Sequence, residues 1–294
     1  MQIGAKVPNS GPLPTEIGIP AMARTLEAAG FESLWVSDHI VMPASIESRY
    51  PFAADGRATW SSNTPYLDAL IALALISAAT ESATIGTAVL VLPLRNPVEF
   101  AKQAASIDVA SGGRLSLGVG AGWLSEEFEA LNVPFERRGA RLEEWMEIAR
   151  VCWTGYPPSR RSDRYILPDD IVCLPTPAHD IPLLVGGHSE VALRRAGILG
   201  DGWLAQQSLP TLAAGELESP IAVMRTAAVG AGRDPNALHV VLRIVESAGR
   251  SDDIARQLPA LAAAGVDEII VDVSWDAGDV AVDAMRLRDA AAST

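Results

Sequence analysis

Short apolar, β-branched runs alternate along this chain with longer segments whose apolar positions recur at helical spacing. The clearest instance is residues 83–123, ATIGTAVLVLPLRNPVEFAKQAASIDVASGGRLSLGVGAGW. Residues 83–92 have the continuous apolar character of a strand buried on both faces. Asn96 caps a helix that begins at Pro97, where a missing N–H costs nothing, and Gly112-Gly113 ends it. Residues 115–119 are the next buried strand, and they run directly into Gly120-Ala121-Gly122. A right-handed crossover of this kind builds parallel sheet, so the rest of the chain must supply its neighbours.

The same alternation places further strands at 3–7, 33–37, 182–185, 203–205, 239–245 and 268–273. Helical patterns fall at 20–29, 65–79, 126–131, 137–151, 190–199, 221–229, 251–264 and 280–291. Eight strands alternating with helices predict a (β/α)8 TIM barrel, with residues 1–294 as one domain. An open doubly wound sheet is the rival, but no early GxGxxG turn supports it, and cyclic closure leaves no exposed edge. Two segments depart from the pattern. Residues 40–64, after the second strand, carry Tyr50, Phe52 and Trp60 and are too long for an idle loop, so they read as a lid. Residues 154–180, rich in Pro, Asp and Arg, read as an excursion between the fourth and fifth barrel strands, with an extended piece at 170–174.

Charge narrows the partners. The net charge is −13, with no basic stripe, which argues against nucleic acid. Cys152 and Cys173 are too few for a disulfide framework, and the longest apolar helix, 67–79, is too short for a bilayer and carries Asp68. The expectation is a cytoplasmic protein. The four histidines (39, 179, 188 and 239) lack metal-ligand spacing, so no metal is expected.

In such a barrel the chemistry sits at the C-terminal ends of the strands. Those ends present Asp38 and His39, Ala88 and Val89, Gly120 to Trp123, and Gly186 to Ser189. A mouth of glycine, apolar residues and one or two histidines is poorly made for hydrolysis and suits a bulky planar cofactor that carries the hard chemistry itself. Gly186-Gly187-His188-Ser189 is either a phosphate turn at a helix N-terminus or simply a tight turn. His39 either acts on a ring carbonyl or relays a proton, with Asp38 orienting it or anchoring the loop, or the two form a structural pair. Trp123 walls the pocket or packs elsewhere, and Glu126 and Glu127 read as first-turn helix carboxylates.

The segments GFESLWVSDHIVMP, IGTAVLVLPLRNPVEFAKQAASIDVASGGRLSLGVGAGW, EEFEALNVPFERRGARLEE and LLVGGHSEVALRRAGILGDGWL, in that order, resemble the bacterial luciferase-like oxidoreductase superfamily. The nearest branch is the actinobacterial one that uses the deazaflavin coenzyme F420. The resemblance implies a ring across the barrel mouth, its phosphate near Gly186-Gly187 and His188, and His39 close to the ring with Asp38. It also implies a bulge with a non-prolyl cis peptide at Ala88–Val89 that supports the central portion of the ring, while the Gly120 backbone either lies beneath the flat ring or simply makes a turn. Hydride transfer between F420 and a small organic substrate is the implied reaction, with His39 as the catalytic residue and a homodimer formed through 67–79. FMN-dependent monooxygenase chemistry is the alternative, and a non-catalytic cofactor-binding protein the second. Some sugar-phosphate dehydrogenases of the deazaflavin group carry a glutamate just after GxG. Trp123 stands there in this chain, which argues against that substrate class.

Overall fold

The structure, a computed structural model, describes residues 1–53, 55–58, 60–275 and 280–292. Ala54 and Thr59 of the expected lid lie outside the described residues. The apolar runs form β1 (Gln2–Lys6), β2 (Ser33–Val36), β3 (Thr84–Val91) and β4 (Leu115–Gly120). A short antiparallel hairpin follows, β5 (Arg160–Arg161) and β6 (Ile166–Leu167), and then come β7 (Leu183–Gly186), β8 (Gly202–Ser208), β9 (His239–Val245) and β10 (Glu268–Val271). All but the hairpin close a parallel barrel in the order β1-β10-β9-β8-β7-β4-β3-β2. The amphipathic segments become α1 (Ile19–Ala29), α2 (Ala69–Ala79), α3 (Pro97–Ser111), α4 (Ser125–Ala130), α5 (Arg138–Trp153), α6 (Glu190–Ile198), α7 (Gly215–Gly230), α8 (Ser251–Ala263) and α9 (Val280–Ala292). The (β/α)8 barrel expected from the alternation is the fold observed.

Three local differences have physical causes. The helix expected from 65 begins at Ala69, because the Asp68 carboxylate accepts from the N–H groups of Leu70 and Ile71 and fixes the start there. Helix α7 begins six residues before the expected 221 and runs through Pro220, the residue at which the pattern reading breaks a helix. The extended piece at 170–174 forms no strand. The excursion instead folds around the β5–β6 hairpin, which Arg164 pins to α5 through a 2.6 Å bond from Nε to Glu144.

Side-chain alternation inside the barrel sets up the mouth. Trp35, Leu184, Leu204, Val241 and Ile270 fill one interior layer. Glycines give this layer its room: a Cβ at Gly86 would lie 2.5 Å from the Trp35 ring, and one at Gly118 2.5 Å from Leu204 Cδ1. Two residues further along the strands, on the same face, come Gly120, Gly186, Gln206, Arg243 and Asp272. Lys6 completes the ring on β1, two residues after Gly4, whose Cβ direction meets Trp35 Nε1 at 3.0 Å. The C-terminal layer is therefore split: backbone and small groups on one side, charged and amide groups on the other.

Candidate functional site

The glutamate pair at the start of α4 organises the lid. Glu127 is buried, and its carboxylate accepts from the backbone N–H of Ile40 at 2.6 Å and of Val41 at 3.2 Å. Its second oxygen lies 3.1 Å from His39 Nδ1. Glu126 accepts from the N–H of Glu47 and Ser48 at 2.6 and 2.9 Å and from the Ser48 hydroxyl at 2.5 Å. Burial works against that charge, but the hydrogen bonds from Ser48 and Glu47 outweigh it and hold the Glu126 carboxyl down at about 2. Two adjacent carboxylates thus tether a long loop at two points and orient the histidine.

Of the two roles expected for Asp38, orienting His39 or anchoring the loop, the structure shows the anchoring one. Its carboxylate accepts from both terminal nitrogens of Arg95, at 3.1 and 2.9 Å, and from the N–H of Val91 at 2.9 Å. Arg95 also reaches Asp68 at 2.9 Å. Burial pushes the Asp38 carboxyl up, and the Arg95 guanidinium opposes it. Asp38 therefore locks the end of β2 to the end of β3 and the start of α2, while Glu127 holds His39.

The expected ring cradle is brought together. The Ala88–Val89 bond is cis, at a register shift between β3 and β4. The Val89 side chain lies between two strands that present no side chain: a Cβ on Gly120 would stand 2.8 Å from Val89 Cγ2, and one on Gly186 2.8 Å from Cγ1. Gly187 adopts φ +117°, and its carbonyl accepts from Trp203 Nε1 at 2.8 Å. Ser189 then caps α6 by accepting from the Ala192 N–H. His188 Nε2 accepts from the Gln206 N–H at 3.0 Å, and desolvation lowers its pKa, so this ring is neutral with its proton on Nδ1.

A Gly120→Ala substitution is expected to displace Val89 at an overpacking cost of roughly 1–3 kcal/mol and to weaken the binding of any planar ligand held on this patch by about fivefold or more. Adding Val89→Ala should restore most of the loss. Fluorescence titration of both variants checks this, and a double variant no better than the single one would mean that Gly120 acts through something other than this contact.

The lid lies across the mouth. The Tyr50 ring stacks edge-on against Trp60 and Trp123, with centroids 5.0 and 5.1 Å apart, and Phe52 meets His188 at 5.4 Å. His39 faces Trp60, Tyr66 and Trp123 within 6.1 Å. The segment ending in His39 and the turn carrying His188 are therefore joined over one opening by a chain of aromatic rings. Beside it, a cavity of about 250 Å³ is lined by His39, Ile40, Val41, Met42, Ser62, Asn63, Thr64 and Tyr66. That is below the usual size of a pocket for a drug-sized ligand.

Four participants escaped the sequence reading. Glu127 was legible only as half of a Glu-Glu doublet, and Tyr66 only as an aromatic after the lid. Lys6 and Arg243 lay hidden in strands, although Lys6 and Lys102 are the chain's two lysines beside 21 arginines. Among the described residues no group of three metal-ligating side chains occurs, and no helix is long and apolar enough to cross a membrane.

Comparison with known proteins agrees with this architecture. Residues 10–288 match the family profile described as luciferase-like monooxygenase. An uncharacterised protein of Mycobacterium tuberculosis is 35% identical over 221 residues, 75% of each chain. The F420-dependent hydroxymycolic acid dehydrogenase of the same organism is 30% identical over 223 residues, 74% of this chain and 55% of that one. Among solved structures, an F420-dependent secondary alcohol dehydrogenase in complex with an F420-acetone adduct superposes with a TM-score of 0.79. It covers 99% of this chain and 98% of that one at 18% identity, a likeness of fold. With the profile spanning nearly the whole barrel, this chain belongs to the luciferase-like monooxygenase family, a superfamily of oxidoreductases.

Proposed function

We propose that this oxidoreductase binds F420 across the barrel mouth and catalyses hydride transfer to or from a small organic substrate. The observation that carries the reading is the Val89 wedge between Gly120 and Gly186, a flat patch of backbone and methyl groups at the same strand ends as a His39 oriented by Glu127. These residues fit a planar ring, because any side chain at either glycine would fill the space that the wedge defines. Ala88, Val89 and Gly120 would support the ring. The Gly186-Gly187 turn and His188, at the N-terminus of α6, would meet the phosphate, with Asp38 holding the cradle's edge through Val91 and Arg95. When bound, F420 supplies a carbon centre that gives or accepts a hydride.

The chain's own residues do the rest. Glu127 accepts from His39 Nδ1–H and leaves Nε2 to exchange a proton with the substrate oxygen. The lid, tied by Glu126 and Glu127, closes water out. Relatives whose names specify F420 support this cofactor over FMN. A homodimer would cover α2, where Ile71 and Leu75 are exposed.

Titration of the purified protein with F420 and with FMN tests the assignment. Saturable micromolar binding of F420, with quenching of tryptophan fluorescence as Trp60 and Trp123 change surroundings, is the expected result. Micromolar FMN binding without F420 binding would overturn it in favour of oxygen-dependent chemistry, and tight F420 binding without turnover would favour a carrier.

A further inference from the structure

The polar half of the mouth is not needed to hold a ring. Lys6, Arg243 and Asp272 lie on β1, on β9 and just after β10, three neighbouring positions of the barrel wall. Arg243 is 6% exposed; its Nη1 donates to the carbonyl of Ile244 at 2.8 Å and to that of Ile270 at 3.4 Å, and Nη2 donates to Asp272. The Asp272 charge is thereby matched by Arg243. The β1–β10 register, with Ala5 opposite Val271, sets Lys6 level with Asp272, where it adds a second cation, so among these three groups one positive charge is left over. Beside Arg243 on the neighbouring strand, Gln206 Nε2 donates to the Tyr50 hydroxyl at 3.1 Å, which brings the lid tip over this side. Burial beside Arg243 lowers the Lys6 ammonium to about 8, as expected of a cation held close to another without a carboxylate of its own.

We propose that Lys6, backed by Arg243, is an anion subsite that takes the carboxylate or phosphate group of the substrate and places the rest of the molecule over the Val89 half of the mouth. A single oxyanion balances the surplus charge inside a poorly solvated site, where such pairing is strongest. Lysine suits this role better than arginine, because its compact ammonium turns to meet an oxygen from several directions. The substrate class is then a small organic acid or phosphate ester. This rests on the hydride-transfer reading only for what happens to the substrate, since the subsite itself follows from the barrel wall.

The test uses the full chain labelled with 15N and 13C in lysine. Only Lys6 and Lys102 give signals, and Lys102→Arg assigns them. Benzoate, inorganic phosphate and the neutral benzamide are titrated in turn. We expect benzoate or phosphate to shift the Lys6 signal saturably and to raise its titration midpoint by one pH unit or more, with Lys102 unmoved. Benzamide should leave both signals in place, and Lys6→Met should weaken benzoate binding at least tenfold while changing F420 affinity less than threefold. A Lys6 signal indifferent to both anions, or one moved equally by benzamide, overturns the subsite. So does unchanged benzoate affinity in Lys6→Met. F420 binding is read separately: its failure beside a responsive Lys6 would sink the cofactor assignment and leave the subsite standing.

Discussion

Replacing Lys6 by methionine is expected to make the protein more stable at pH 7, by about 2 kcal/mol. A lysine whose proton is held only to about 8 in the folded chain, against an ordinary 10.5, is a charge that folding penalises. At roughly 1.4 kcal/mol per pH unit the full shift corresponds to about 3 kcal/mol. The part of the side chain still open at the mouth reduces this to about 2. The sign follows from proton counting. Between pH 8 and 10.5 the unfolded chain keeps a proton that the folded chain has released, so the stability of the native sequence rises with pH through that window. Below 8 both states are protonated, and the cost is present in full. Methionine fills the same length without a charge, so its advantage should be largest at pH 7 and close as the pH approaches 10.5. Urea unfolding of the two proteins at pH 7 and pH 10 measures the gap. Equal midpoints at pH 7, or a gap that widens with pH, would show that Lys6 is not a destabilised cation. A stability cost retained at the end of a barrel strand is what a binding group imposes when its partner is a ligand.

The lid adds a second conflict between packing and binding. Tyr50, Phe52 and Trp60 close the opening with edge-on contacts, each of about 0.5–1.5 kcal/mol beyond simple burial. A ring entering the mouth must replace those contacts with its own faces, which makes cofactor affinity a difference between two aromatic stacks. The backbone tethers of the lid are at its start and at Ser48, and its tip adds the weaker side-chain bond from Gln206 to the Tyr50 hydroxyl. Its aromatic tip can therefore move while its root remains on α4.

Fold and site were legible to different depths, for reasons visible in particular residues. The barrel announced itself because both-face burial gives continuous apolar runs such as β3 and β9, separated by capped helices such as α3. Gly120 and Gly186 could be placed at strand ends by counting alone. Their common contact, Val89, comes from a register shift that no periodicity encodes. Sequence adjacency left Asp38 either orienting His39 or anchoring the loop; the structure gives it the anchoring role, while the partner of His39 lies 88 positions away on another loop–helix junction. Lys6 was passed over because a lysine ending a short strand looks like a solvated terminus until three strands are seen to face inward together.

Glu127→Gln is expected to leave the fold intact and to lower turnover by roughly 10²–10⁴-fold, the usual worth of a positioned acid–base group. The carboxylate accepts three hydrogen bonds, from the N–H groups of Ile40 and Val41 and from His39 Nδ1. An amide has one accepting oxygen and one donating nitrogen. The two backbone donors claim the oxygen, because a donor facing two N–H groups in a buried site is unacceptable. The amide nitrogen must then point at His39 Nδ1, which can only accept from it, so the imidazole proton moves to Nε2. The ring keeps its place and loses the lone pair on the side that meets the substrate. Cofactor affinity should change less than threefold, and the melting temperature by only a few degrees. Glu127→Ala is the contrasting case: the N–H groups of Ile40 and Val41 and the histidine lose their acceptor, with a destabilisation of about 1–3 kcal/mol and release of the lid root. Nitrogen-15 histidine spectra report the tautomer directly, and loss of F420 absorbance in the presence of substrate reports hydride transfer. A glutamine variant with the altered tautomer and undiminished turnover would remove His39 from the chemistry and leave Glu127 as a tether for the lid alone.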